Sequence, residues 1–244
     1  VTLLTITGYS QCPGNSILPV NDTTLCYGNS LTLTASSFNN YVWSTGATTP
    51  SITVAEPGIF SVCGSTTGTT LIVNGDFEQG NSGFSTQYTI GNNGPWGALS
   101  NAGTYRITTT PSLVHSNFVN CPDHTPNPGN KQMVINGSGN PNTKVWCQVV
   151  QTEPNTLYEF GTWTTSVVNG MVAAQLQFSI NNIQIGSIFS PSQACSWIQF
   201  TENWYSGLTT SAEICIVNQN TIEGGNDFAL DDITFSPVCT DCDT

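Results

Sequence analysis

Apolar and polar residues alternate along most of the chain, which is the pattern of half-buried β-strands whose successive side chains point to opposite faces. No stretch shows the sustained period of about 3.6 residues that indicates an amphipathic helix. The strand-like stretches are residues 1–7, 30–34, 41–43, 51–54, 59–63, 103–109, 132–135, 144–151, 156–165, 173–180, 197–204, 211–217 and 228–235. We therefore predict an all-β fold.

Two acidic stretches frame the larger part of the chain. LIVNGDFEQG occupies residues 71–80, and NDFALDDI occupies residues 226–233. We expect them to be the first and last strands of one domain, lying side by side, and the many short strands between them predict a jelly-roll β-sandwich. The predicted divisions are an N-terminal strand at 1–16, a small sandwich at 17–70, the jelly roll at 71–238 and a tail at 239–244.

The small domain carries the motifs TLCYGNSLTLTA, YVWSTGATTPSITV and PGIFSVCG. Over residues 18–64 these motifs resemble the immunoglobulin-like repeats of large surface and gliding-motility-associated adhesins of Bacteroidetes. In an immunoglobulin-like sandwich a tryptophan packs on a disulfide that joins the two sheets. The resemblance implies a Cys26–Cys63 disulfide with Trp43 in the core.

The last strand of this small domain is in question. In those repeats a strand follows the second cysteine, but here residues 69–73 run directly into the next domain. Either that strand is shared at the junction or the small domain lacks its last strand and exposes an unpaired edge. The N-terminal strand Val1–Thr7 could close its own domain or a neighbour's, which would allow self-association into a fibre.

The larger domain carries the motifs NGDFE, GTYRIT, CPDHT, KVWCQVV, NTLYEFGTWTTS and GNDFALDDITF. Together they resemble the galactose-binding-like jelly rolls used as carbohydrate-binding modules, in a version common on Bacteroidetes surface proteins. The resemblance covers nearly the whole domain. It implies a structural calcium ion that joins the first and last strands at Glu78 and at one of Asp231 and Asp232.

The carboxylates also suggest a cation site by their chemistry. Ca²⁺ prefers several oxygen ligands, and two short runs supply them at Asp76, Glu78, Asp231 and Asp232. Because neighbours in a strand point to opposite faces, we expect one of Asp231 and Asp232 to face solvent. The alternative is that these acids are surface charges or turn formers.

Aromatic and amide side chains on the polar faces of three strands suggest a glycan platform. The candidates are Trp146, Gln148, Trp163, Gln175 and Gln177, with Glu159 beside Trp163. Sugars are held by aromatic faces and by amide or carboxylate groups that bond hydroxyls. The alternative is that loops or a neighbouring subunit cover the two indole rings.

The charge of the chain limits its partners. Only 3 residues are Lys or Arg against 15 Asp or Glu, which gives a formal net charge of -12. This balance argues against nucleic acid, which needs a basic surface, and against anionic membrane surfaces. No apolar run reaches the roughly 18 residues that span a bilayer, so we expect no membrane insertion.

Nine cysteines indicate disulfides and an oxidising compartment, so we expect a secreted, cell-surface protein. The pairing is left open for Cys12, Cys121, Cys147, Cys195, Cys215, Cys239 and Cys242. The motif Asp22-Thr23-Thr24 resembles the short O-glycosylation motif of Bacteroidetes secreted proteins, which implies a glycan on Thr23.

Catalytic motifs are missing from the sequence. It contains neither G-x-S-x-G nor H-E-x-x-H, and Asp123-His124-Thr125 reads as a loop hydrogen-bond device. We predict a non-catalytic secreted structural or adhesive protein, assembled into a filament by strand donation. The alternative is a glycan-binding module of a surface adhesin or of a larger glycan-degrading enzyme.

Overall fold

The structure of the protein is a computed structural model that describes residues 17–18, 29–56, 58–125 and 129–243, with the backbone alone at residues 18 and 240–243. Val1–Thr7, Thr23 and Cys26 lie outside the described residues, and the expectations placed on them stay predictions. Within the described residues the chain forms fifteen β-strands and one short 3-10 helix. No helix among them has the length and hydropathy to cross a bilayer. The predicted all-β fold is confirmed.

The chain divides into two compact units, one of residues 1–69 and 237–244 and the other of residues 70–236. In the smaller unit, β1 (Ile17–Leu18), β2 (Leu31–Ala35) and β4 (Ser51–Val54) form a three-stranded antiparallel sheet. β3 (Asn40–Trp43) pairs with β5 (Val62–Thr67). Trp43 and Val62 lie in the core of this unit. Its immunoglobulin-like assignment stays a prediction.

The last strand of the chain, β15 (Phe228–Asp243), corrects two expectations about the smaller unit. Its residues Val238 to Asp243 pair antiparallel with Thr67 to Val62 of β5. Residues 239–243, which were predicted to belong to a separate tail, are therefore part of β15, and the edge of β5 is paired rather than vacant. Cys63 and Cys239 are both disulfide-bonded, and the partner predicted for Cys63 lies outside the described residues.

The larger unit contains the remaining strands and the first part of β15. They are β6 (Thr89–Ile90), β7 (Thr104–Thr108), β8 (Gln132–Asn136), β9 (Lys144–Gln151), β10 (Leu157–Ser166), β11 (Leu176–Ile180), β12 (Ile183–Phe189), β13 (Ile198–Tyr205) and β14 (Ser211–Asn218), with the 3-10 helix at Pro111–Leu113. One sheet has the order β13-β10-β15-β8-β7-β6, and the second has the order β12-β11-β14-β9. The predicted jelly-roll β-sandwich is confirmed.

Alternating apolar side chains from both sheets form one core between them. Phe160 of β10 stacks on Phe178 of β11 with ring centroids 4.1 Å apart, and Tyr158 stacks on Phe235 at 4.8 Å. Two disulfides fasten the unit, Cys147–Cys215 between β9 and β14 and Cys121–Cys195 between two loops. This rigid sandwich holds the site described next.

Candidate functional site

The NGDFE corner lies directly beside β15. The Leu71 N–H donates to the Phe235 carbonyl oxygen at 2.8 Å, and the Ile233 N–H donates to the Gly75 carbonyl oxygen at 3.0 Å. A Cβ on Gly75 would lie 2.1 Å from the Ile233 carbonyl oxygen, so only glycine permits this approach. The two acidic stretches are therefore adjacent.

A β-bulge in β15 places Asp231 and Asp232 on the same side of the sheet. Asp232 has a φ of 44°, and Leu230 and Ile233 both enter the core although they are three residues apart. One extra residue in the strand explains this spacing. The expectation that either Asp231 or Asp232 would face away is wrong because strict alternation fails at a bulge: ligand atoms of both lie within 4.8 Å of each other and of His124.

The CPDHT loop packs against this bulge. His124 Nδ1 lies 2.6 Å from Asp232 Oδ2, and Thr125 Oγ1 donates to the same carboxylate oxygen. The loop is anchored at Cys121, which is bonded to Cys195 and whose carbonyl oxygen accepts from Gln132 Nε2 at 3.2 Å. The loop thus brings an imidazole and a further carboxyl group to β15.

That further carboxyl group belongs to Asp123, which lies close enough to Asp231 for each carboxyl group to affect the pKa of the other. Asp231 is only 1% exposed, and burial, followed by the neighbouring Asp123 carboxyl group and the nearby Asp232 charge, raises its pKa to about 9. Burial likewise raises the pKa of Asp123, and the charges of Glu78 and Asp232 add to this shift. The buried carboxyl groups therefore need a bound proton or a cation to offset their charge.

The donor set at this point fits a hard cation. Asp123 Oδ1 is buried and has no hydrogen-bond partner among the described residues. Ligand atoms of His124, Asp231 and Asp232 lie within 4.8 Å of one another, the charges of Glu78 and Asp232 reach Asp123, and carboxylate oxygens are the ligands that Ca²⁺ prefers. Sequence analysis missed Asp123 as a candidate ligand because its DHT motif is typical of a loop turn.

Asp76 and Glu78 are positioned differently from one another. Asp76 Oδ1 accepts the Glu78 N–H at 3.4 Å, which is a weak turn interaction. Glu78 Oε1 accepts the Lys131 N–H at 2.8 Å, and Lys131 Nζ donates to the Glu78 carbonyl oxygen at 2.7 Å. Asp76 therefore stabilises the corner, while Glu78 borders the group of carboxylates.

Two predicted sugar ligands have structural roles instead, and those predictions are wrong. Trp146 is 0% exposed in the core between the sheets. Gln148 is bonded to backbone: its Oε1 accepts the Val73 N–H at 2.9 Å, and its Nε2 donates to the Val73 carbonyl oxygen at 3.0 Å. The face of β9 that carries Trp146 is the core face. Gln148 can lie on that face because the backbone of Val73 supplies its hydrogen bonds in place of solvent.

Gln175 and Gln177 lie on the outside of the four-stranded sheet, apart from Trp163 on the other sheet. Gln177 donates to the Gly186 carbonyl oxygen at 2.8 Å and accepts from Gln219 at 3.2 Å. Gln219 and Gln184 in turn donate to Asn142 Oδ1. The amides of Gln177, Gln184, Gln219 and Asn142 are thus engaged within the protein, and Gln175 and Gln177 lie on a different sheet from Trp163, so the five predicted sugar ligands do not form one site.

Trp163 lies on the outer face of the six-stranded sheet, in a row of polar residues that we call the Trp163 face. The row pairs β10 with β13 at Trp163↔Gln199, Gly161↔Thr201 and Glu159↔Asn203. The Trp163 indole is partly exposed and stacks on His124 with ring centroids 3.9 Å apart. The acidic bulge and this face are therefore joined through His124.

The polar side chains of the Trp163 face are not engaged by the rest of the protein that the structure describes. Among the described residues, the side chains of Glu159, Gln199, Thr201 and Asn203 accept or donate no hydrogen bond, in contrast to the amides on the other sheet. Gly161 lies in the middle of this row, and a Cβ there would lie 2.8 Å from Thr234 Oγ1. Glycine therefore leaves no side chain protruding at the centre of the face.

No protein-family model matches the chain, and no curated protein matches it. Many solved structures are similar to it at low identity, and three of them serve as examples. They are the CBM22-1 xylan-binding domain of Xyn10C from Paenibacillus barcinonensis (TM-score 0.44, 12% identity, 66% of this chain and 90% of that chain), TmCBM61 in complex with beta-1,4-galactotriose (0.44, 15%, 68% and 97%) and an apo cyclase from Fischerella sp. (0.46, 13%, 71% and 96%). At these scores none of them assigns a function to this chain.

Proposed function

We propose that the larger unit is a non-catalytic glycan-binding module and that the glycan lies on the Trp163 face. The observation that carries this proposal is the row of unengaged polar side chains beside a partly exposed indole. A sugar presents C–H groups on its ring face and hydroxyl groups around its rim, so it meets both the indole and the polar row. Aromatic surface with a few polar groups is typical of small-molecule sites.

The dimensions of the face favour an oligosaccharide over a single sugar. Trp163 and Glu159 are four positions apart, which corresponds to about 13 Å along a strand. Carboxylate, hydroxyl and amide groups follow one another over that length at Glu159, Thr201 and Gln199. A short linear glycan would thus contact the indole at one end and Glu159 at the other.

The carboxyl groups of the bulge favour binding over hydrolysis. In glycoside hydrolases two carboxyl groups flank the scissile bond, at about 5 to 9.5 Å from each other. Here Asp231 is only 1% exposed, and Asp123 lies beside it. A substrate bond cannot pass between them, so we propose that the module binds its glycan without turnover.

We also propose a structural Ca²⁺ held by Asp123, Asp231, Asp232 and Glu78. The bound cation would offset the charge of the buried carboxylates and tie the NGDFE corner and the CPDHT loop to β15. His124 contacts both Asp232 and Trp163. By holding Asp232, the cation would therefore also hold His124 and, through it, the Trp163 indole.

The wider setting follows in part from the disulfides. Cys121–Cys195 and Cys147–Cys215 are consistent with a secreted protein. We propose a cell-surface adhesin as its context. One argument for filament assembly through Val1–Thr7 was an unpaired edge in the smaller unit. That argument is weakened, because the edge of β5 is paired with β15.

Binding to a panel of neutral oligosaccharides, measured by isothermal titration calorimetry, tests the proposal. We expect Trp163→Ala to weaken binding of the best ligand at least tenfold while the melting temperature shows that the variant is folded. Trp96→Ala is the matched control, because Trp96 is 52% exposed on a separate loop. The proposal fails if Trp163→Ala binds normally, if only Trp96→Ala loses binding, or if the wild-type protein binds no glycan or releases reducing ends.

A further inference from the structure

The register of the Trp163 face continues to a second exposed aromatic residue. β10 and β13 stay paired beyond Glu159, and the next pair on that side of the sheet is Leu157↔Tyr205. Because side chains alternate between the two faces of a strand, Tyr205 and Trp204 leave β13 on opposite sides. Trp204 contacts Tyr158 and packs against the core. Tyr205 therefore lies on the outer face, just beyond the far end of the Trp163 face.

Tyr205 is open to solvent and is held by a hydrogen bond. It is 58% exposed, more than any other aromatic residue of β10 or β13. Its hydroxyl group donates to Asn155 Oδ1 at 3.3 Å, and Asn155 precedes Leu157, the residue opposite Tyr205. A hydroxyl group that reaches this position requires the ring to lean across the sheet towards β10. The ring therefore offers its surface, and not only its tip, to a molecule that lies on the sheet.

A strip of polar positions separates the two aromatic residues. Trp163 and Leu157, the partner of Tyr205, are six positions apart on β10, which corresponds to about 20 Å along a strand. The positions between them carry the unengaged polar side chains of the Trp163 face, with Gly161 at the centre. Glu159 is the one charged residue among the four pairs on this side of the two strands. The strip thus suits a long, polar, uncharged chain better than a compact ligand.

We propose that Tyr205 is a second stacking platform and that the ligand of the module is an extended neutral glycan chain that spans Tyr205 and Trp163. This inference rests on the proposed function, which places the glycan at Trp163. Sugar rings present C–H groups to each aromatic surface, and their hydroxyl groups meet the polar side chains between the two platforms. The formal net charge of -12, together with Glu159 on the strip, disfavours acidic glycans.

Contact at both ends makes chain length the main determinant of affinity. Once a chain is bound at Trp163, its far end meets Tyr205 in an intramolecular step, which raises the overall affinity without any stronger single contact. A chain too short to span about 20 Å along the strands gains nothing from Tyr205. Affinity should therefore rise sharply at the length that first reaches both platforms.

The twist of the sheet favours a single chain over a flat surface. Strands twist about their own axes, so side chains six positions apart leave the sheet in different directions. A single glycan chain can follow this turn by rotating about its glycosidic bonds, whereas the face of an insoluble polysaccharide is flat and rigid. We therefore expect soluble chains, and not crystalline cellulose or chitin, to be the ligands.

Isothermal titration calorimetry with length series of neutral oligosaccharides tests the proposal. The probes are cello-, xylo-, manno- and galacto-oligosaccharides, each from the disaccharide to the octasaccharide. For the series that binds, we expect affinity to rise at least tenfold between the lengths that contact Trp163 alone and the lengths that also reach Tyr205. Affinity that is independent of length, or tighter binding to insoluble cellulose or chitin than to any soluble chain, would overturn the proposal.

Variants at and beside Tyr205 separate the ring from its surroundings. We expect Tyr205→Ala to abolish the gain with length, while short chains bind as they do to the wild-type protein and the melting temperature shows a folded variant. Tyr205→Phe keeps the ring and should keep most of the gain. Leu208→Ala is the matched control, because Leu208 is 87% exposed in the adjacent turn. A loss in Tyr205→Phe or Leu208→Ala as large as that in Tyr205→Ala would contradict the platform.

The same titrations distinguish failure of this proposal from failure of the main one. If Trp163→Ala loses every chain while Tyr205→Ala keeps the gain with length, the Trp163 face binds glycan without Tyr205, and the present proposal alone fails. If Trp163→Ala binds every chain as the wild-type protein does, or if the wild-type protein binds none, the main proposal fails and this one fails with it.

Discussion

Trp146 and Trp163 show how similar residues take opposite roles in the two sheets. Each has a polar neighbour on its own strand face, Gln148 and Glu159 respectively. Alternation in the sequence reveals that a strand has two faces, but it does not show which face is inward when both carry apolar residues. In the fold, the face of Trp146 and Gln148 can turn inward because Gln148 forms its hydrogen bonds with the backbone of Val73, which is far away in sequence.

Replacement of Trp146 should therefore affect stability rather than recognition. We expect Trp146→Ala to lower the free energy of unfolding by about 3–5 kcal/mol, the usual cost of emptying a large core position. Urea unfolding measures this loss, and calorimetry at low temperature should show unchanged glycan affinity for the folded variant. Loss of affinity with full stability would show that Trp146 reaches the ligand.

Asp227 should make stability depend on pH. It is buried, accepts the Gly137 N–H at 2.9 Å, and burial raises its pKa to about 6. The folded state therefore holds this proton more tightly than the unfolded state, whose pKa is close to 3.9. Its contribution to stability is full below about pH 4 and is lost as the pH rises to about 6.

Asp227→Asn removes this titration but keeps an oxygen acceptor for Gly137. We expect the stability of the wild-type protein relative to the variant to fall by up to about 3 kcal/mol between pH 4 and pH 7. Chemical unfolding across that range measures the difference. A pH-independent difference would mean that Asp227 titrates normally in the folded protein.

At the scale of the element, the position of β15 could be predicted from the sequence, but its bulge could not. Its position and its place beside the NGDFE corner follow from the acidic and apolar pattern of residues 226–235. The bulge does not, because Asp231-Asp232 has no local residue that demands a positive φ. Aspartate only tolerates that conformation, so the bulge is imposed by Leu230 and Ile233, which both pack into the core.

Two substitutions at Asp232 separate its backbone role from its charge. Both Asp232→Asn and Asp232→Val remove the carboxylate, but asparagine tolerates a φ of 44° and valine does not. We expect the valine variant to be less stable than the asparagine variant by about 1–2 kcal/mol, the cost of a left-handed residue. Equal stabilities in urea unfolding would mean that the bulge is absent or relaxes freely.

At the scale of the whole molecule, the smaller unit contains residues from both ends of the chain. Its early strands and buried Trp43 agree with the pattern of the first 70 residues. Besides β3, the partner of β5 comes from Val238 to Asp243, and no local signal connects stretches so distant in sequence. The site of the larger unit has the same limitation: the CPDHT loop meets Asp232 and Trp163 through tertiary contacts alone.

Calcium should stabilise the larger unit measurably. A ligand that binds only the folded state stabilises it by about 2.7 kcal/mol at a hundredfold excess over its dissociation constant. We expect a chelator to lower the melting temperature and added Ca²⁺ to restore it, with Asp231→Asn abolishing the response. The calcium proposal is contradicted if the chelator has no effect on the wild-type protein.

The most direct test of the central claim is the indole N–H spectrum of the protein during titration with its best oligosaccharide. The chain has 6 tryptophans, and each indole gives one assignable signal by NMR. We predict a saturable shift of the Trp163 signal, with the buried Trp146 signal unchanged. A saturable shift at Trp96 or elsewhere, with Trp163 unmoved, would contradict glycan binding on the Trp163 face.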